Sequence, residues 1–311
     1  MEGMRKAGRG FPGRSARILV FAVVVLVLAV FVLVVEGCGK KSEKKVETEG
    51  TEARTLTIKG SDTMLPLLTA LAEAYQKIHV DAQVSVAGGG SALGIAALLD
   101  GATDLCMSSR GLNEEETKKA DYRQTAPQDV VIARDGVAVI VHPLNPVSEL
   151  TINQLRQIFN GKIKNWTAVG GPDQAIRVIS QDSDSETAAF FQERVLQGEH
   201  YKHGIQLAAS SAAVVQSVSR ELWSIGYASY VFTQGTEMKI IGLKKDSTSP
   251  AVLPAPETLL DGSYALERPL HLYAGKTLDS LTLDFLEFVL SVRGQRIVKE
   301  NGFVPVGPRP A

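Results

Sequence analysis

Apolar and polar positions follow two rhythms along most of this chain, and its start follows neither. From Ile18 to Val35 the residues are continuously apolar, preceded by Arg5, Lys6, Arg9, Arg14 and Arg17. Gly39 to Arg54 then carries almost no apolar content. Beyond it, Leu56-Thr57-Ile58 alternates like a strand, and Leu65 to Ile78 puts Leu67, Leu68, Leu71, Ala74 and Tyr75 on one helical face, with Pro66 tolerated in the first turn. A strand from Ala82 to Val86 leads through Gly88, Gly89, Gly90 and Ser91 into an apolar helix, Ala92 to Leu99, and a third strand runs from Asp104 to Met107. Val130 to Val141 reads as two apolar strand-like runs joined by Arg134-Asp135-Gly136. A short helix closed by Gly161, a strand from Ile176 to Ser180 and a helix carrying Phe190, Phe191 and Val195 follow. Ile225 to Ala228 reads as a buried strand, Pro269 to Tyr273 as another, and Asp279 to about Val292 as one long helix. This alternation predicts an α/β body with parallel strands.

In such sheets ligands sit beyond the carboxyl ends of strands. The chain places polar turns there: Ser61-Asp62-Thr63, then Gly88 to Ser91, then Ser108-Ser109-Arg110, and later Gln181 to Thr187. Glycines let the backbone turn sharply and leave its N–H groups uncovered. Ser91 is expected to cap the helix that follows, whose start carries unpaired donors and the positive end of the dipole. Such a place attracts an anion, and Arg110 adds a guanidinium. A tight βα connection without a ligand is the commoner fate of any single Gly-Ser loop. Gly88, Gly90 and Gly94 approach a G-x-G-x-x-G dinucleotide fingerprint, but the spacing is one residue too long and Asp104 begins, rather than ends, the next strand. The nucleotide reading is set aside.

The length of 311 residues suits two lobes, and 22% charged residues with a net charge of −1 give no basic surface for nucleic acid. The basic start and apolar run make an export signal. Gly37-Cys38 looks like the end of a bacterial lipoprotein signal, in which Cys38 is lipidated and begins the mature chain. Glu36 stands where a small residue is usual and the apolar run nearly spans a bilayer, so an uncleaved membrane anchor remains the alternative. Residues 1–37 are therefore signal or anchor, and 38–54 a disordered linker. With only Cys38 and Cys106 present, neither a disulfide framework nor a cysteine metal site is available. Cys106 is expected to pack as a small hydrophobe. His200 and His203 share a helical face without an obvious third ligand and are read as surface residues. There is no Gly-x-Ser-x-Gly elbow, and Ser91 has no histidine or acid that the sequence places beside it, which disfavours a secreted hydrolase.

Several landmarks occur in order: Gly60-Ser61-Asp62-Thr63-Met64-Leu65-Pro66, Gly88 to Ile95, Ser108-Ser109-Arg110, Ile158-Phe159-Asn160-Gly161 with Asn165-Trp166 and Val169-Gly170-Gly171, Ile225-Gly226-Tyr227, and Gly294-Gln295 with Gly302-Phe303-Val304-Pro305. Through them the chain from Leu56 to Val306 resembles the PstS-type phosphate-binding proteins of ABC transporters. The resemblance implies a type II periplasmic-binding-protein clamshell, each lobe a small mixed α/β sheet flanked by helices, with two crossover strands as hinge. Lobe I would comprise 55–137 and 270–311, and lobe II 138–269. The oxyanion site implied consists of Thr63 with the Met64 and Leu65 amides, Ser91, Ser109 and Arg110 in lobe I, and Ser185 and Thr187 in lobe II. Ser61, Asp62 and Gly90 adjoin it, and Arg134 offers a further cation. Gln181, Asp184 and Glu186 stand where the family has an arginine and two glycines. A glutamine gives neutral hydrogen bonds in place of a bidentate, charge-assisted hold. The two carboxylates are expected to face outward from a first helical turn, and Asp62 or Asp182 could accept a phosphate proton.

The function implied is that of a monomeric, non-enzymatic, cofactor-free receptor, exported and tethered at the outer face of the bacterial membrane. It would capture phosphate or a related oxyanion for an ABC-type permease. A receptor for another solute, such as an amine pairing with Asp184 or Glu186, or a sensory module, stays open beside it.

Overall fold

An unbroken strand of 14 residues, Gln128–Val141, runs through the middle of the sheet in the computed structural model, where the sequence suggests two runs joined by a polar turn. The structure describes residues 54–183 and 185–307. The expected signal or anchor, Cys38, the linker up to residue 53, and Asp184 lie outside the described residues. Among those described, no helix is long and apolar enough to cross a membrane.

In chain order the elements are β1 (Arg54–Gly60), α1 (Leu65–Gln76), β2 (Ala82–Ala87), α2 (Ser91–Leu99), β3 (Leu105–Ser108), α3 (Glu114–Arg123), β4 (Gln128–Val141), β5 (Glu149–Thr151), α4 (Ile152–Phe159) and β6 (Arg177–Gln181). There follow α5 (Glu186–Phe191), β7 (Gln206–Ala208), α6 (Ser211–Arg220), β8 (Ser224–Ser229), β9 (Lys239–Ile240), β10 (Gly242–Lys244), α7 (Pro256–Leu260), β11 (Glu267–Ala274), α8 (Ser280–Leu290), α9 (Val292–Glu300) and β12 (Val304–Pro305). The main sheet has the order β2-β1-β3-β11-β4-β8-β6-β7, with β9 and β12 also on β4. Pairing is parallel for β1 with β2 and β3, and for β6 with β7 and β8. The pairs between these flanks, β3 with β11, β11 with β4 and β4 with β8, are antiparallel. The sheet is thus mixed, with the expected parallel strands in each flank and antiparallel pairs at its centre.

Strand β4 belongs to both halves. Its first part pairs with β11 up to Gly136, and its last part pairs with β8 from Val137 onward. The chain returns beside this crossing point, where the Val137 amide donates to the Leu266 carbonyl at 2.8 Å. The polar residues within β4 break nothing because each has a partner or a packing role. Arg134 pairs with Glu267 at 2.7 Å, and Asp135 is buried against Arg268. A Cβ on Gly136 would sit 2.7 Å from a Leu259 methyl, so glycine there allows close packing rather than a turn.

Each half has its own apolar core. In the first, Tyr75 of α1 meets Phe285 and Phe288 of α8 edge-on, at 5.3 and 5.4 Å. In the second, Phe191 stacks on Tyr227 at 4.0 Å beside Phe159, within the cluster that also holds Trp166. Cys106 is fully buried with Ile95, Leu98 and Tyr273, and burial pushes its thiol pKa up to about 12, consistent with a packing role. The expected long C-terminal helix is divided at Ser291. That residue leaves helical geometry and its hydroxyl caps α9 by accepting from the Gly294 amide at 3.1 Å. His200 and His203 are exposed as expected, but they lie in the loop before β7 and share no helical face.

Candidate functional site

The turns after β1 and β2, with the end of β3 packed behind them, form one wall of a cleft of about 280 Å³, and the turns after β6, β7 and β8 form the other. The expected site residues Met64, Leu65, Ser91, Ser109 and Arg110 stand behind the first wall and do not line the cleft. On the first wall the chain leaves β1 through Ser61, whose amide donates to the Met107 carbonyl at 2.8 Å and whose hydroxyl donates to Ser109 Oγ at 3.1 Å. Ser61, Asp62, Thr63 and Gly90 line the cleft. Asp62 is tied to the glycine-rich loop by accepting from the Gly89 amide at 2.9 Å. The Met64 amide donates to the Ser61 carbonyl at 3.1 Å, so this expected oxyanion donor is engaged within its own turn, while Leu65 opens α1.

Ser91 does not cap α2. The cap is Gly90, at φ 91, a conformation that favours glycine, and Ser91 is the first helical residue. Its buried hydroxyl accepts from the Ser109 amide at 3.2 Å and ties the third turn to the start of α2. Helix α2 then crosses β1 closely: a Cβ on Gly94 would lie 2.6 Å from Gly60 Cα and 2.7 Å from the Lys59 carbonyl oxygen. The glycine that brings this loop near a dinucleotide pattern is thus there for helix–strand packing.

On the second wall Gln181 is 4% exposed, and its amide bridges two hydroxyls. Ser185 Oγ donates to its Oε1 at 2.7 Å, and its Nε2 donates to Ser211 Oγ at 3.1 Å. Ser185 also caps α5. Ser211 Oγ accepts from the Ser229 amide at 3.1 Å as well. With its lone pairs taken, the Ser211 hydroxyl proton is left to donate. Sequence reasoning missed Ser210, Ser211 and Phe232, all of which line the cleft. A signal was present: Ser91 and Ser109 are separated by 18 positions, and so are Ser211 and Ser229, with the same hydroxyl-to-amide bond in each half.

Behind this wall lies a buried ion pair that was also missed. Arg268 Nε and Nη2 donate to Asp135 Oδ2 at 3.1 and 2.9 Å, and Ser229 Oγ donates to the same oxygen at 2.8 Å. Nη2 also reaches Thr187 Oγ1 at 3.3 Å. Thr187 lines the cleft, and a hydroxyl that accepts from a guanidinium keeps its own proton free to donate. Deeper still, Ser180, Tyr227 and Tyr201 share hydroxyl contacts of 2.7 and 3.0 Å, and burial raises both tyrosine pKa values.

The two cations named from the sequence are placed differently from expectation. Arg134 is held by Glu267 near the crossing point and does not line the cleft. Arg110 holds Glu116 with both terminal nitrogens, at 2.7 and 2.8 Å, and Glu186 with Nε, at 2.9 Å. The Glu116 bonds, followed by the Glu186 charge, hold the Arg110 pKa above its ordinary value, against the effect of burial. Burial alone would raise the Glu116 pKa, but Arg110 and the Asn113 backbone bring it below the usual value.

Glu186 corrects the outward expectation. It opens α5 in the second wall, lines the cleft and turns inward to the first wall, because the Arg110 guanidinium and the start of α2 face it there. A solvated orientation would have left those donors to water. Among the described residues no group of histidine, cysteine and acidic side chains could hold a metal ion.

Comparison with known proteins agrees with this architecture. Residues 45–293 match the PBP superfamily domain. The phosphate-binding protein PstS of Staphylococcus epidermidis is 35% identical over 252 residues, 79% of this chain and 77% of that protein. Its counterpart in Staphylococcus aureus is 33% identical over the same length, 79% of this chain and 76% of that protein. Among solved structures, a candidate phosphate ABC transporter substrate-binding protein from Clostridium perfringens, with bound phosphate, is 31% identical with a TM-score of 0.71, covering 81% of this chain and 100% of that one. An ABC-type phosphate transport receptor from Vibrio cholerae is 29% identical with a TM-score of 0.69, covering 80% and 99%. With its shared central strand, its cleft between two walls of strand ends and these relatives, the chain belongs to the PBP superfamily and, within it, to the PstS-type phosphate-binding proteins.

Proposed function

We propose that this protein is an exported, membrane-tethered receptor that closes on inorganic phosphate and presents it to an ABC-type permease. The observation that carries this reading is the convergence of the starts of α1, α2, α5 and α6 on one cleft, marked by Thr63, Gly90, Ser185 and Ser211. Helix starts direct N–H donors and positive potential into a shared space, which suits an anion and asks nothing of a nucleophile or metal. Thr63, Ser91, Ser109 and Arg110 would hold the ligand from lobe I, and Ser185, Thr187 and Ser211 from lobe II, with lobe boundaries near residues 137 and 270. Contacts from both lobes give the closed state its differential affinity.

Calorimetric titration of the full chain is expected to show saturable phosphate binding. Ser91→Ala should weaken it by about tenfold, since a net hydrogen bond of roughly 1 kcal/mol is lost together with the tie between two loops. Absence of phosphate heat in the wild type, with heat from another solute, would move the protein to that ligand.

The tether is proposed to be a lipid on Cys38. Mass spectrometry of native membranes should find an acylated N-terminal Cys38 peptide. A chain that retains Met1 to Gly37 would make the apolar run Ile18 to Val35 the anchor.

A further inference from the structure

The residue that fits simple anion capture least is Glu186. Its side chain is 15% exposed, and its carboxylate bonds entirely to the opposite wall. Oε1 accepts from the Ala92 amide at 3.3 Å, and Oε2 accepts from Arg110 Nε at 2.9 Å. Glu186 itself sits on α5, between β6 and β7, whereas both partners follow β2 and β3. Those partners are strong anion-binding elements of the first wall: an amide in the first turn of the nine-residue helix α2 and a guanidinium. Gly90 lies beside the carboxylate: its φ of 91 favours glycine, and a Cβ there would stand in ordinary contact with Glu186 Oε1 at 4.0 Å. The rest of Arg110 is already committed, because Glu116 holds both terminal nitrogens.

We propose that Glu186 is a specificity-determining residue: its carboxylate is a tethered anion seated on part of the oxyanion site, which a ligand must displace from the Ala92 amide and Arg110. The proposal rests on the phosphate reading above and adds a competitor to it. A second anion cannot share these donors, since like charges a few ångströms apart in a cleft of low dielectric oppose each other's ionised form. A tethered group also competes at an effective concentration on the order of millimolar, whatever the bulk composition. Anions with few contacts lose to it. A tetrahedral oxyanion that also engages Thr63, Ser91, Thr187 and Ser211 can win. Glu186 therefore lowers affinity for every anion, and excludes the weaker ones from the range in which the receptor works. The same bond spans the two walls and so holds them together.

The test uses the full chain and the variants Glu186→Ala and Glu186→Gln, titrated with inorganic phosphate and with sulfate, and compared by small-angle scattering in phosphate-free buffer. Glu186→Ala should bind phosphate about tenfold more tightly, bind sulfate measurably, and show a larger radius of gyration than wild type before phosphate is added. Glu186→Gln, which keeps the shape and loses the charge, should move in the same direction by less, and guards against a folding defect in the alanine variant. Phosphate affinity equal to or below wild type in both variants would overturn the proposal. If no form binds phosphate, the phosphate reading fails by itself. In that case the scattering still decides the cross-cleft bond, and an unchanged radius in Glu186→Ala would overturn it.

Discussion

Replacing Arg268 by methionine is expected to destabilise the folded protein by about 3–5 kcal/mol, because it leaves Asp135 charged and buried without its counter-ion. Both side chains of the pair are 1% exposed, so water does not screen the loss. Ser229 Oγ would remain as a donor to Asp135 Oδ2, but a single hydroxyl does not supply the counter-charge or the two bonds lost with the guanidinium. The position raises the effect further. Asp135 lies on β4 one residue before the crossing between halves, and Arg268 lies on β11 directly opposite it in register. Urea unfolding should show the shift in midpoint. The double variant Arg268→Met with Asp135→Leu should recover most of the loss, since a buried pair replaced by apolar groups of similar volume is often neutral or better. A loss below about 1 kcal/mol in the single variant would show that the carboxylate finds another partner or takes up a proton. The methionine variant should also weaken phosphate binding, through the Thr187 hydroxyl that Arg268 orients.

The polar turns of the first half were legible in the sequence because each follows a strand whose alternation is local. Hydrogen bonds link Ser61 to Ser109 and Ser109 to Ser91 where β1, β2 and β3 end, and Arg110 follows Ser109 in the chain. Ser91 shows the limit: a hydroxyl before an apolar helix reads as a cap, and only the three-dimensional neighbour, the Ser109 amide, reveals its other use. Arg134-Asp135-Gly136 has the composition of a turn. It is instead continuous strand, because Glu267 and Arg268 on β11 supply partners from a stretch more than a hundred residues away in sequence. Arg268 itself resembles any polar residue at the edge of an apolar run. Glu186 was misread for the same reason: an acidic residue in a first helical turn gains from the dipole whether it faces solvent or not. Which way it turns is decided by what stands across the cleft. Ser211 could have been found, since its relation to Ser229 repeats that of Ser91 to Ser109, but the repeat is visible only once both halves are seen as strand, hydroxyl, helix and strand.

Arg110→Ala is expected to lower phosphate affinity by one to two orders of magnitude, about 1.5–3 kcal/mol, the usual range for a charge-assisted hydrogen bond. Two effects oppose each other. Removing Arg110 deletes the guanidinium that would pass from Glu186 to the ligand, which weakens binding. It also deletes the partner that anchors Glu186 across the cleft at 2.9 Å, which weakens the competitor. The first effect wins, because the ligand loses a positive charge whereas Glu186 keeps its bond to the Ala92 amide. Glu116, 15% exposed, keeps its own capping bond from the Asn113 amide at 2.9 Å, so the fold should persist with a small loss in thermal midpoint. Arg110→Lys should not restore binding. A lysine ammonium cannot present two parallel donors to Glu116 and a third, in a fixed direction, to the cleft, as the guanidinium fork does. Calorimetric titration of both variants beside wild type, with thermal unfolding as the control for folding, measures the outcome. Phosphate heats close to wild type in Arg110→Ala would mean that Arg110 serves Glu116 and Glu186 alone, and that the ligand is held by helix starts and hydroxyls without a cation. Tighter binding in Arg110→Ala would mean that its main role is to hold the competitor in place.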